Sequence, residues 1–260
     1  MIDLQNISIG YGRHILLDNI SATMPSGELI ALLGRNGTGK STLLRSISGL
    51  HDISQGSIVL NGQELSRMSL QELAKTTAFV TTERVRIANL CCQDVVALGR
   101  APYTNWIGRM QKQDSEIVHK SLRLVGMTDY AEKSMNKMSD GECQRIMIAR
   151  ALAQDTPIIL LDEPTSFLDL PNRYELCTLL RELAHKENKC IMFSTHELDI
   201  AVTMCDSIAL IDSPRLHHLP TNKMTQSGHI ERLFSNKSVS FDTGTCSVRH
   251  NKSEAQNITK

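Results

Sequence analysis

This sequence has few aromatic residues and no excess of either charge: one tryptophan, four tyrosines and five phenylalanines, with Lys plus Arg and Asp plus Glu at 28 each. Such a balance excludes a global field that would recruit nucleic acid or an acidic membrane surface. No apolar run approaches the ~20 residues needed to cross a bilayer. The opening MIDLQNISIGYG lacks the charged-then-apolar profile of a secretory signal. The expectation is a cytosolic polypeptide that meets a membrane only through a partner. Seven cysteines, Cys91, Cys92, Cys143, Cys177, Cys190, Cys205 and Cys246, are scattered and odd in number, so neither a disulfide framework nor a zinc spacing is expected. No internal repeat or low-complexity tract is present.

What the sequence does have is GRNGTGKST, Gly34 to Thr42, directly after the apolar run Leu29 to Leu33. It fits the phosphate-loop pattern G-x-x-x-x-G-K-[ST], with Gly34, Gly39, Lys40 and Ser41 at the fixed positions. Glycines let the backbone curl so that successive N–H groups point at phosphate oxygens, and the helix that follows presents its positive end to an anion. Lys40 is expected to reach the β- and γ-phosphates and Ser41 to sit on a Mg²⁺ ion bridging them.

Around this loop the pattern is that of an α/β protein. The first thirty residues alternate apolar and polar and predict two antiparallel strands, and GSIVLNGQEL adds a strand closed by an Asn61-Gly62 turn. Apolar runs at 157–162, 190–195 and 207–212 are separated by helical patterns, which implies a parallel sheet flanked by helices. Residues from about Thr82 to Met147 read as a helix-rich block without a strand. The polar stretch after about Pro214 reads as a small appendage with frayed final residues.

IILLDEPTSFLD supplies two carboxylates at a strand end. Asp162 is placed to hold the metal and Glu163 to polarise an attacking water. His196, 33 residues further on at the end of the next strand, is expected to bond the γ-phosphate and keep water and Glu163 in line. Ser139-Asp140-Gly141 forms a second anion-accepting helix start, with Ser139 as cap and Gly141 permitting close approach. Two distant cradles in one chain suggest two copies facing each other, each lending its Ser139 cradle to the other's nucleotide.

From about Ile2 to about Asp212 the sequence resembles the ATP-binding subunits of ABC transporters. The resemblance implies a RecA-like P-loop ATPase core (1–82 and 147–212) with an N-terminal antiparallel β-subdomain, an inserted α-helical subdomain (83–146) and a C-terminal extension (213–260). Tyr11 matches the aromatic that stacks on adenine. Gly34, Arg35, Asn36, Gly37, Thr38, Gly39, Lys40, Ser41 and Thr42 match the Walker A loop, which holds ATP. Ser139 to Glu142 match the signature and Ile158 to Glu163 the Walker B strand. Leu168-Asp169 match the D-loop at the dimer seam, and His196 the switch histidine.

Two departures stand out. The signature reads MSDGE rather than LSGGQ, which sets Asp140 and Glu142 beside a partner's triphosphate, at a cost in binding unless they point away or find a cation. FVTTERV, Phe79 to Val85, has no glutamine where the family has one touching the metal; Thr82 takes that register, and Glu83 beside it is a candidate Mg²⁺ ligand.

DVVALGRAPYTNWIG, Asp94 to Gly108, resembles the GR-x-P segment of the importers that serve iron-siderophores, haem and cobalamin. Locally, Gly99 reads as a helix C-cap with Pro102 as the stop after it, and Tyr103 and Trp106 as an exposed aromatic pair. The resemblance implies a homodimer of ATPase subunits with ATP and Mg²⁺, peripheral on the cytoplasmic face of the inner membrane. Its partners would be integral membrane permease subunits and, indirectly, a substrate-binding protein, with no nucleic acid. A soluble ABC ATPase acting on DNA or ribosomes, or a slowly hydrolysing interaction module, stands as the alternative. The interval of under a hundred residues between Walker A and signature, free of sustained heptads, argues against the chromosome type.

Overall fold

The computed structural model describes residues 1–83, 89–104, 110–235, 239–242 and 247–250. Strands β1 (Ile2–Tyr11) and β2 (His14–Met24) pair antiparallel, as their alternation predicts. Then β3 (Leu29–Gly34) runs into the phosphate loop and α1 (Lys40–Ile47). β4 (Gln55–Leu60) turns at Asn61 and Gly62 into the short β5 (Gln63–Glu64), both turn residues having positive φ. That is the backbone an Asn-Gly hairpin turn demands. β4 pairs with β1, giving an antiparallel sheet in the order β2-β1-β4-β5.

α2 (Leu70–Thr76) precedes β6 (Thr77–Val80). Ser69 caps α2, its hydroxyl accepting the Glu72 N–H while the Glu72 carboxylate accepts the Ser69 N–H at 2.8 Å. Ser69→Ala is expected to lower stability by about 1 kcal/mol, read as a shift in urea midpoint at unchanged slope.

The middle block carries α3 (Cys92–Ala97), α4 (Lys112–Leu124) and α5 (Asp140–Ala153). After it come β7 (Ile158–Leu161), α6 (Leu170–Glu187), β8 (Cys190–Thr195), α7 (Leu198–Met204) and β9 (Ser207–Asp212). β10 (Arg215–Pro220), α8 (Thr221–Gln226), α9 (His229–Phe234) and the hairpin β11 (Val239–Asp242) and β12 (Ser247–His250) complete the described chain.

The main sheet has the order β10-β9-β3-β8-β7-β6, parallel from β6 to β9. Both its faces are covered, which is why its strands are continuous apolar runs. Leu29, Ala31 and Leu33 of β3 pack on the side of the helical block. Ile30 and Leu32 pack with α1 and the antiparallel sheet. The phosphate loop leaves the carboxyl end of the central strand, between two buried clusters.

Four expectations need correction. The core does not stop at Asp212, because β10 pairs antiparallel with β9 as the sheet's sixth strand, and Met224 and Ile230 beyond it join the main core. The polar RLHHLP conceals this, since an edge strand half open to water needs no apolar run. The division between 146 and 147 falls inside α5, a continuous helix whose far end carries the chain back to the sheet.

Around Gly99 the difference is one of packing. Its φ is not positive, and a Cβ there would lie 2.3 Å from the Arg150 carbonyl oxygen, so glycine admits α5 rather than capping α3. Arg100 is buried, its Nε donating to Asp114 Oδ1 at 2.9 Å and its Nη1 to the Ala153 carbonyl at 2.8 Å. Tyr103 is half-buried, with the Arg100 guanidinium 4.0 Å from its ring centroid, and Trp106 lies outside the described residues.

Candidate functional site

Gly37 and Gly39 hold φ of 79° and 101°, a region that side chains with a Cβ avoid, and this curls the loop back onto α1. A Cβ on Gly34 would come within 2.8 Å of Thr38 Oγ1, and that hydroxyl donates to the Arg35 carbonyl at 2.8 Å. Arg35 and Thr38 thus brace the loop's shape. Lys40 is buried; its ammonium donates to the carbonyls of Gly34 at 3.0 Å and Arg35 at 3.2 Å. Burial pushes its pKa down from the ordinary value, while the carboxylates of Glu163 and Asp162 pull it back up.

An open cleft of about 510 Å³ lies over the loop, lined by Asn36, Gly37, Gly39, Lys40, Ser41 and Thr42, with Glu163 at one side and Tyr11, His14 and Leu16 at the other. Tyr11 is 54% exposed, and its hydroxyl lies 3.3 Å from Thr42 Oγ1. Its ring meets His51 at a centroid distance of 4.9 Å. A flat, open aromatic at the mouth of a phosphate cradle suits a planar base.

Asp162, at the end of β7, is 4% exposed. Its Oδ1 accepts from Ser41 Oγ at 3.0 Å and from Ser194 Oγ at 2.6 Å. A buried carboxylate beside the phosphate-loop hydroxyl makes a donor set of oxygen only, which fits a hard cation such as Mg²⁺. Glu163 follows with φ 46°, a strained backbone for a long side chain. Its N–H donates to Ser194 Oγ at 2.8 Å, and its carbonyl accepts from Ser166 Oγ at 2.9 Å. The strain aims its carboxylate at the cleft, where His196 Nδ1 lies 3.5 Å from Oε1.

Of the two residues in the glutamine register, Thr82 donates its hydroxyl to the Asp162 carbonyl at 3.0 Å. Glu83 is exposed and pairs with Arg45 of α1 at 3.4 Å. Thr82 therefore touches the backbone of the candidate metal residue, while Glu83 is turned to a neighbouring cation.

Ser139 and Gly141 line a different cleft, about 560 Å³, with Phe167, Leu168, Asp169 and Asn172. It shares no lining residue with the first. Ser139 caps α5, and the Glu142 carboxylate accepts the Ser139 N–H at 2.7 Å, with Lys133 at 3.9 Å. The Ser139 N–H bond leads in holding the Glu142 carboxyl below the usual range. Glu142 has thus found its donors within the chain, while Asp140 lines the cleft itself.

Sequence reasoning missed Ser194, which ties Asp162 to Glu163, and the lining residues His14 and Leu16. Ser194 stood in plain view two residues before His196, but only the parallel pairing of β7 with β8 brings it to the carboxylates.

The ABC transporter family matches residues 17–166. An uncharacterized ABC transporter ATP-binding protein of Methanocaldococcus jannaschii is 39% identical over 93% of this chain and 83% of its own length. The iron(3+)-hydroxamate import ATP-binding protein of Bacillus subtilis is 34% identical over 77% of this chain and 74% of its own. Among solved structures, a dimeric ATP-binding cassette in a post-hydrolysis state, bound to ADP and Pi, superposes with a TM-score of 0.75 at 25% identity, over 85% of this chain and 99% of that one.

Proposed function

This chain belongs to the ABC transporter family, as an ATP-binding subunit, and from that premise we propose that it energises import of an iron-siderophore, haem or cobalamin type substrate through a membrane permease. The observation that carries the mechanism is the pair of clefts without a common residue, one built on Lys40, Ser41 and Glu163 and the other on Ser139 and Gly141. Each is half a nucleotide site. Two copies placed head to tail complete two sites, a reading supported by the dimeric state of a similar cassette bound to ADP and Pi.

In each site Lys40 and the loop N–H groups bind the phosphates and Tyr11 takes the base. A Mg²⁺ ion would be held by Ser41 and Asp162, where it neutralises phosphate charge. Glu163 accepts a proton from the attacking water, and His196 orients Glu163 and the γ-phosphate. ATP bound between two copies favours the closed pair and its hydrolysis the open one, so the permease subunits docked on each copy shift between two states. Among the described residues no helix is long and apolar enough to cross a membrane, so the path for the substrate is assigned to the partner. The substrate class rests on the names of relatives that import iron(3+)-hydroxamate and cobalamin and on the GRAPY segment, Gly99 to Tyr103.

The test is to tag the chain at its native locus, solubilise membranes gently and identify what co-purifies. The expected result is a polytopic permease in stoichiometric amount. Recovery only from the soluble fraction, with ribosomes, DNA or no partner, would overturn the transport reading and leave the nucleotide site standing.

A further inference from the structure

Between the two half-sites runs the segment from Glu163 to Asp169, which leaves β7 with the catalytic carboxylate and ends in the wall of the Ser139 cleft. It is fastened to the loop carrying His196 by a closed ring of polar contacts. Thr165, 2% exposed, donates its hydroxyl to Glu197 Oε1 at 2.9 Å. Arg173, on the first turn of α6, donates Nη1 to Glu197 Oε2 at 2.5 Å and Nε to the Leu168 carbonyl at 2.8 Å. Glu197 also has its N–H on Thr195 Oγ1 at 3.0 Å. Glu197 is next in sequence to His196, and Leu168 borders the cleft that receives the second nucleotide.

We propose that Arg173, acting through Glu197 and Thr165, is a positioning residue for ATP hydrolysis, holding His196 in register with Glu163 and fixing both to the wall of the Ser139 cleft. The inference rests on the function proposed above. Its physical basis is that the His196–Glu163 approach, 3.5 Å, is too long to hold itself. The two side chains sit on separate loops, so their alignment is set by whatever joins those loops. A guanidinium can join them because its planar fork offers donors in two directions, one to a carboxylate and one to a carbonyl. The Glu197 side chain is 12% exposed and Arg173 29%, so the pair is largely shielded from screening by salt.

Thr165, Arg173 and Glu197 are not among the residues lining the phosphate-loop cleft, so loss of the ring separates turnover from nucleotide binding. In the full chain purified with the membrane subunits that accompany it, Arg173→Gln is expected to lower kcat at least about tenfold with KM for ATP within about twofold, as a displaced catalytic group does. Glu197→Gln should give a similar loss, and the double variant little more than either alone, because both break one ring. Arg173→Lys should recover part of kcat. Thermal unfolding without nucleotide is followed in parallel.

Wild-type kcat in Arg173→Gln would overturn the proposal. So would losses that multiply in the double variant and follow the melting temperature, which is the behaviour of a contact that only holds the fold together. Glu163→Gln in the same preparation keeps the two readings apart. If it abolishes turnover while Arg173→Gln does not lower it, the positioning role fails and the ATPase assignment stands. If Glu163→Gln hydrolyses ATP normally, the ATPase site itself is misassigned.

Discussion

Glu163→Gln is expected to bind ATP at least as well as the wild type while kcat falls by about 100-fold or more. The two losses separate because the groups are separate: phosphate is held by Lys40 and by loop N–H groups, and Glu163 stands at the side of the cleft. Glutamine has the same length and can keep the contact to His196, now 3.5 Å, but its amide cannot take a proton from water. General-base groups of this kind contribute about 10²–10⁴-fold. Removing a negative charge beside a triphosphate raises affinity if it changes it at all. If ATP closes the dimer and hydrolysis opens it, the variant accumulates as a closed pair in ATP and not in ADP. Size-exclusion chromatography with both nucleotides, beside a phosphate-release assay, measures this. Normal turnover would sink the role given to Glu163, and loss of ATP binding would show that the carboxylate acts on the fold of the cleft rather than on the water.

The parts of this site that were legible in the sequence are those in which one short segment fixes its own geometry. GRNGTGKST is such a segment, because the positive φ at Gly37 and Gly39 is a local demand that only glycine meets cheaply. The strands of the parallel sheet were legible for a similar reason, since burial on both faces leaves an unbroken apolar run. The rest depends on neighbours far along the chain. Ser194 meets Asp162 across 32 residues, and Arg173 meets Glu197 across 24. Neither pairing leaves a spacing to read.

The features that depart from the sequence pattern obey the same division. RLHHLP is polar because β10 is an edge strand, Gly99 is glycine because α5 crosses it, and Tyr103 is half-covered because Arg100 folds over its ring. Of the two signature acids, Glu142 is bonded to Ser139 and near Lys133, a pairing the spacing does not announce, while Asp140 lines the cleft.

Lys40→Ala tests the other half of the mechanism, and here binding rather than chemistry should fail. The Lys40 ammonium has three donors, and two of them go to the Gly34 and Arg35 carbonyls. It is already buried, and that burial lowers its pKa, so part of the cost of desolvating it is met before nucleotide arrives. An anionic phosphate then meets a charge fixed in place. Charge-assisted hydrogen bonds contribute about 1.5–3 kcal/mol each, and contacts to both the β- and γ-phosphates make the combined loss about 3 kcal/mol or more. That corresponds to a rise in Kd of about 100-fold or more. Calorimetric titration with ATP measures it directly, and the nucleotide-induced rise in melting temperature should vanish in parallel. The melting temperature without nucleotide identifies any general loss of fold, because Lys40 also supports the loop carbonyls. Unchanged ATP affinity in Lys40→Ala would mean that backbone N–H groups and the helix end suffice to hold the triphosphate. Lys40 would then be a brace for the loop like Thr38, and the division of labour between a binding lysine and a catalytic glutamate would have to be redrawn.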